Sequence, residues 1–145
     1  MRKVEATINI SCKPEMVIKA FTNNEFLKGW WHVDRAYIDT NINGMYALTW
    51  QVTEHGFGYV TMGNVKTYIP NMQLVIDNFT YLNPEKSILG GMTLTVIAKQ
   101  NDSQTVLYLC QEGYQQGPDW DWYYQAVKQA WPDVLKSLKR YLEGL

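Results

Sequence analysis

The sequence predicts an α+β fold: a curved antiparallel sheet of about seven strands wrapped around one long C-terminal helix, with two short helices after the first strand. Three observations predict it. Apolar residues recur at steps of three or four through residues 119 to 145, alternating apolar and polar residues fill most of residues 33 to 113, and a proline-led helical pattern follows the first strand pattern. Consecutive strands joined by short turns must run antiparallel. A long helix with an aromatic face needs a broad apolar partner, and only the strand-rich region offers one.

Residues 3 to 10 alternate, with Val4, Ala6, Ile8 and Ile10 on one face, as a half-buried strand does. Pro14 then falls where a helix accepts proline, in its first turn, followed by Val17, Ala20 and Phe21 at helical spacing. Thr22 to Glu25 reads as a capping box that starts a second short helix carrying Phe26, Leu27 and Trp30. A weak strand over 33 to 38 and a turn at Asn43-Gly44 lead to a clearer one, with Tyr46, Leu48, Trp50 and Val52 on one face. A long strand over 57 to 68 contains Gly58 and Gly63, which predict bulges or sharp bending, and a strand over 72 to 79 follows Pro70. Strands over 92 to 100 and 105 to 113 form a hairpin across Asn101, Asp102 and Ser103.

In the last helix Tyr124, Val127, Trp131, Val134, Leu138, Tyr141 or Leu142, and Leu145 make the apolar stripe. Pro118 and Asp119 are expected to supply a stop and a cap, and Pro132 to kink the helix near residues 128 to 131. Acidic residues near the start and Lys136, Lys139 and Arg140 near the end suit the helix dipole. Residues 1 to 145 are read as one domain, since this length and an apolar content of 46% allow one sizeable core.

Thirteen basic and fourteen acidic residues leave a formal charge of -1 without runs of one sign, so the footprint of a nucleic-acid or membrane-surface binder is missing. No apolar run reaches membrane-spanning length. Cys12 and Cys110 are far apart and in no C-x-x-C pair, which points to free thiols and a reducing cytoplasm. His32 and His55 are not at metal-ligand spacing, so no metal or cofactor is expected. No phosphate loop or nucleophile elbow occurs. Glu112, Asp119, Asp121 and Asp77 are the carboxylates that could work as acid or base if buried, but turns and caps call for these residue types anyway. Catalytic residues are therefore not assigned, and the balance lies against an enzyme. Aromatic residues make up 14% of the chain, and Trp120, Trp122, Tyr123 and Tyr124 are too dense for one helix face. Some of them must be exposed, line a cavity mouth or meet another chain, and a cavity mouth or a homodimer contact is the favoured reading.

One ordered set of residues carries a resemblance. Pro14, Glu15 and Val17, the Thr22 turn, the Trp30-Trp31 pair, Asn43-Gly44 before a strand, Gly63 and Val65 leading to Pro70 and Leu74, Thr105, Leu107 and Leu109 before Gly113, and Trp131 in the last helix together resemble the START-like, or SRPBCC, superfamily. The order is most similar to the branch of the heat-shock chaperone ATPase activators, over essentially the whole chain. The resemblance implies a helix-grip fold with a cavity for small apolar molecules between helix and sheet. Its walls, carried onto this sequence, are Trp30, Tyr46, Leu48, Trp50, Leu94, Val96, Leu107, Leu109, Gln111, Val127 and Trp131. The chain departs from the family pattern at Ala130, where glycine is common, at Gln111, where histidine is frequent, and at Pro132. The expected function is binding of a small hydrophobic or aromatic ligand. The alternatives are a chaperone-associated interaction protein and, behind it, a polyketide cyclase or dehydratase-like enzyme.

Overall fold

The computed structural model describes residues 2–145. Strand β1 (Lys3–Ile10) is followed by α1 (Pro14–Ala20) and α2 (Asn24–Trp31), then by β2 (Arg35–Ile38), β3 (Met45–Trp50), β4 (Tyr59–Ile69), β5 (Gln73–Leu82), β6 (Leu89–Asn101), β7 (Gln104–Glu112) and α3 (Pro118–Glu143). The seven strands form one antiparallel sheet in the order β1-β7-β6-β5-β4-β3-β2. Each consecutive pair from β2 to β7 is a hairpin, and β1 returns beside β7. This is the α+β helix-grip architecture that the alternation and the terminal helices predict.

The sheet bends where its ladder is irregular. Register shifts fall between Met62 and Asn64 and between Val65 and Thr67 in β4, and on both sides of Phe79 in β5. Each extra residue increases the local twist and re-aims its neighbours. At Gly63 a Cβ would stand 2.6 Å from the Asp77 carbonyl oxygen and from Ile76 Cγ2, so the close approach there needs glycine.

The short helices close one end of the sheet. Pro14 sits in the first turn of α1, and Val17, Ile18 and Ala20 are buried. The cap of α2 differs from the expected Thr22 box. Asn23 is the N-cap, and its side chain accepts from the Phe26 backbone N–H at 3.2 Å. Thr22 turns its hydroxyl back to the carbonyls of Ile18 and Lys19 instead, so the helix start moves to the amide-bearing residue, which caps at least as well. A Cβ on Gly29 would run into the Tyr141 ring, so α2 lies against α3 at a distance only glycine permits.

Helix α3 also begins differently. Pro118 is inside its first turn, Gly117 with φ 132° is the N-cap, and Asp119 accepts two hydrogen bonds from Ser87, at 2.9 Å from its N–H and 2.7 Å from its hydroxyl. Asp119 therefore ties the β5–β6 loop to the helix and does not cap it. The buried stripe is Trp120, Tyr123, Val127, Trp131, Leu135, Leu138 and Leu142. Relative to the sequence reading, Tyr123 and Leu135 take the places expected for Tyr124 and Val134, and Leu145 is exposed. The helix remains continuous through Pro132, whose missing N–H leaves the Lys128 carbonyl without its usual donor. Lys139 donates to the Asn9 carbonyl at 2.7 Å and to Glu143 at 2.8 Å, and Glu143 accepts from Ser11 N–H, which pins the helix end to the end of β1. Burial of the seven-residue stripe, at about 1.5–3 kcal/mol per large apolar side chain, is what holds α3 on the sheet.

Candidate functional site

The N-terminal half of α3 and the bent part of the sheet leave a cleft of about 340 Å³ between them. Its helical wall consists of two rows. Tyr123, Val127 and Trp131 form the inner row, and Trp122, Ala126, Ala130 and Val134, each four residues from the next, form the rim. The two alanines are what keep the rim low. The sheet contributes Trp50 from β3, Tyr59 and Thr61 from β4, Phe79 and Tyr81 from β5, and Gln111 from β7, and Trp31 at the end of α2 closes one side.

The register explains the sheet wall. Trp50 pairs with Tyr59 across β3 and β4, and their rings stack at 5.0 Å and 15°. Thr61 stands between Leu48 and Tyr81 in the next same-face row. From there aromatic contacts continue: Tyr59 to Tyr81 at 6.1 Å, Tyr81 to Tyr123 at 4.6 Å, and Trp31 to both Trp50 and Trp131 at 5.1 and 5.2 Å. Each such pair adds about 0.5–1.5 kcal/mol beyond its buried area and limits ring motion. The walls are accordingly rigid and flat-sided.

Gln111 organises the polar chemistry. It is 1% exposed, its Oε1 accepts from Trp131 Nε1–H at 3.0 Å, and its Nε2 donates to the Tyr123 hydroxyl at 2.8 Å. An indole nitrogen can only donate, so the amide orientation is fixed, and the Tyr123 oxygen must be the acceptor. Burial pushes the Tyr123 hydroxyl pKa well up, against a smaller opposing effect of the Gln111 bond, so it stays protonated. Burial likewise raises Tyr59. Trp50 Nε1–H donates to the Trp31 carbonyl at 3.0 Å. The Thr61 hydroxyl oxygen is buried and has no partner among the described residues. Among the described residues no charged side chain lines the cleft.

Of the expected wall residues, Trp50, Gln111, Val127 and Trp131 line this cleft. Trp30, Tyr46, Leu48, Leu94, Val96, Leu107 and Leu109 belong instead to the filled core, each 2% exposed or less. Leu109 and Leu107 lie one and two same-face steps along β7 from Gln111, where the helices already fill the space. The residues that sequence reasoning missed are Trp31, the β4 and β5 wall and the helical rim. The four-residue spacing of Trp122, Ala126, Ala130 and Val134 was a readable signal for the rim. The β5 wall had none, because its bulges break the alternation.

The carboxylates do not converge on the cleft. Asp121 pairs with Arg2 at 2.8 Å, Asp77 with Lys66 at 3.8 Å, and Glu112 accepts from the Cys110 thiol at 3.5 Å. Among the described residues no three His, Cys, Asp or Glu side chains come together as a metal site, and no helix is long and apolar enough to cross a membrane. Cys12 and Cys110 are both free.

The family model described as activator of Hsp90 ATPase homolog 1-like protein matches residues 11–143. Among solved structures, the chain is similar to the Aha1 dimer from Colwellia psychrerythraea, with a TM-score of 0.74 and 20% identity, covering 99% of this chain and 97% of that one. It is similar to protein MLL2253 from Mesorhizobium loti, with a TM-score of 0.77 and 20% identity over 99% of this chain and 98% of that one. DynU16, a protein of the dynemicin biosynthetic locus, matches with a TM-score of 0.73 and 16% identity, over 97% of this chain but 47% of its own length. At these identities the likeness is one of fold. No curated protein matches the chain in sequence.

Proposed function

This chain belongs to the activator of Hsp90 ATPase homolog 1-like family, a START-like branch, and on that premise we propose that it binds a small apolar or aromatic molecule in the cleft between α3 and the sheet. The observation that carries the reading is the cleft itself. It is open, about 340 Å³, and walled by eight aromatic side chains with a few polar groups and no charge. That is the composition of a site for a flat ligand, at the lower end of the usual size range. DynU16, from a biosynthetic locus, shares the fold and adds support. The whole chain, residues 1 to 145, acts as one domain in this reading. Its two free cysteines suit a reducing cytoplasm. Catalysis is not part of it, since the carboxylates are engaged elsewhere.

A second reading, association with a heat-shock chaperone or with a second copy of the chain, has the family description and the Aha1 dimer as its support. Exposed Trp122, at 41%, is where such a surface would centre. Native mass spectrometry of freshly purified protein separates the two. The ligand reading expects a bound small mass, or a rise in melting temperature when fluorene is added. Absence of both, together with capture of the purified chaperone, would replace it with the second reading.

A further inference from the structure

Two buried hydroxyls in the cleft wall, those of Thr61 and Tyr123, have unused hydrogen-bonding capacity. Tyr123 accepts from Gln111 at 2.8 Å, and this is its only hydrogen bond among the described residues. Its own hydrogen is therefore free, because the Trp131 indole dictates the direction of the Gln111 amide. Thr61 is 7% exposed, lines the same cleft, and its buried Oγ1 has no partner among the described residues. Leaving a buried hydroxyl unpaired forfeits its hydration without return. A valine would fill the same shape without that cost. Tyr81 adds a third oxygen at the wall, which accepts from Asn83 Nδ2 at 3.0 Å.

From these groups we propose that the cleft selects a neutral, planar aromatic molecule bearing a hydrogen-bond-accepting oxygen, of the aryl ketone class, and that Thr61 and Tyr123 donate to that oxygen. The polarity follows from Tyr123, which has a hydrogen to give while its oxygen is already engaged. Thr61 can serve either way and follows the ligand. Neutrality follows from the walls, since an ionised ligand would be buried without a counter-charge. Planarity follows from the stacked pairs Trp50–Tyr59 and Tyr81–Tyr123, whose interplanar angles are 15° and 27°. Because the hydroxyls act on ligand already seated among the rings, this inference rests on the ligand-binding reading of the cleft.

The test compares 9-fluorenone with fluorene, which differ by a carbonyl in place of a methylene, by titration of tryptophan fluorescence. The wild type should bind fluorenone about tenfold more tightly, the ratio expected for about 1.4 kcal/mol of added hydrogen bonding. Thr61→Val should reduce that preference severalfold without weakening fluorene, Thr61→Ser should restore it, and Tyr123→Phe should reduce it as well. Melting curves confirm that each variant is folded, and Thr61→Val is expected to melt no lower than wild type. Equal binding of the two probes by wild type, or a preference that survives Thr61→Val and Tyr123→Phe in folded protein, would overturn the hydroxyl pair and leave the ligand-binding reading intact. Failure of both probes to bind would remove both.

Discussion

The two ends of the molecule use the same residue types to opposite effect. Around α1, α2 and the C-terminal half of α3, aromatic side chains are sealed and their polar tips end on backbone carbonyls: Trp30 Nε1–H donates to Ala20 at 2.8 Å and the Tyr46 hydroxyl to Phe21 at 2.6 Å. Around the N-terminal half of α3 only Trp50 ends on a backbone carbonyl, that of Trp31; Trp131 and Tyr123 meet the Gln111 side-chain amide, and the Tyr114 and Thr61 hydroxyls have no partner among the described residues. A backbone carbonyl is available wherever a helix end is buried nearby, so the end with two short helices can satisfy its aromatics internally. The other end has only one helix over a bulged sheet, and its unfilled volume and unpaired hydroxyls remain as a cleft. The lesson is that aromatic content does not decide between core and site; the supply of nearby acceptors and covering elements does.

The largest expected effect tests whether the sealed end holds the whole structure. Deleting residues 133 to 145 removes Leu135, Leu138 and Leu142 from the buried stripe and with them the cover over the sheet. Thermal unfolding followed by circular dichroism should lose its cooperative transition, and a truncated protein that still melts sharply would show that the open end is self-sufficient.

High pH strikes both ends together. Burial raises the hydroxyl pKa of Tyr46 in the sealed end and of Tyr114 and Tyr123 in the open end. These groups stay neutral when folded, while in the unfolded chain they ionise near pH 10. Their contribution is therefore fully present below about pH 10 and lost as pH rises above it, because unfolding then releases protons. The last tyrosinate absorbance to appear should coincide with the loss of near-ultraviolet circular dichroism; complete tyrosine ionisation while that signal persists would mean that the folded protein admits water to its buried tyrosines.

Two added tryptophans sharpen the contrast. Leu107→Trp overpacks a fully buried site and should cost about 1–3 kcal/mol in urea unfolding, with little direct effect on a probe in the cleft. Ala130→Trp sits on the exposed rim and should change stability by less than about 0.5 kcal/mol while blocking fluorene. If the two variants exchanged these outcomes, the open volume would lie along β7 and not under the rim.

Much of this was determined by sequence alone. Strand alternation with short turns set an antiparallel sheet, the three-four spacing set the last helix, and the ordered set from Pro14 to Trp131 pointed to the helix-grip family, which the match over residues 11–143 bears out. These are local or whole-chain signals, and each element repeats its pattern often enough to be read. What only the tertiary structure decided is where that fold is filled and where it is open. Leu107, Leu109 and Gln111 share one face of β7, yet the two leucines are sealed and Gln111 reaches the cleft. Periodicity gives the direction of a side chain but not what stands opposite. The opposing residues come from α2, β4, β5 and α3, and the bulges of β4 and β5 set their approach through long-range packing. The free hydrogen of Tyr123 is decided the same way, by Trp131 and Gln111, twenty residues apart, meeting in the core.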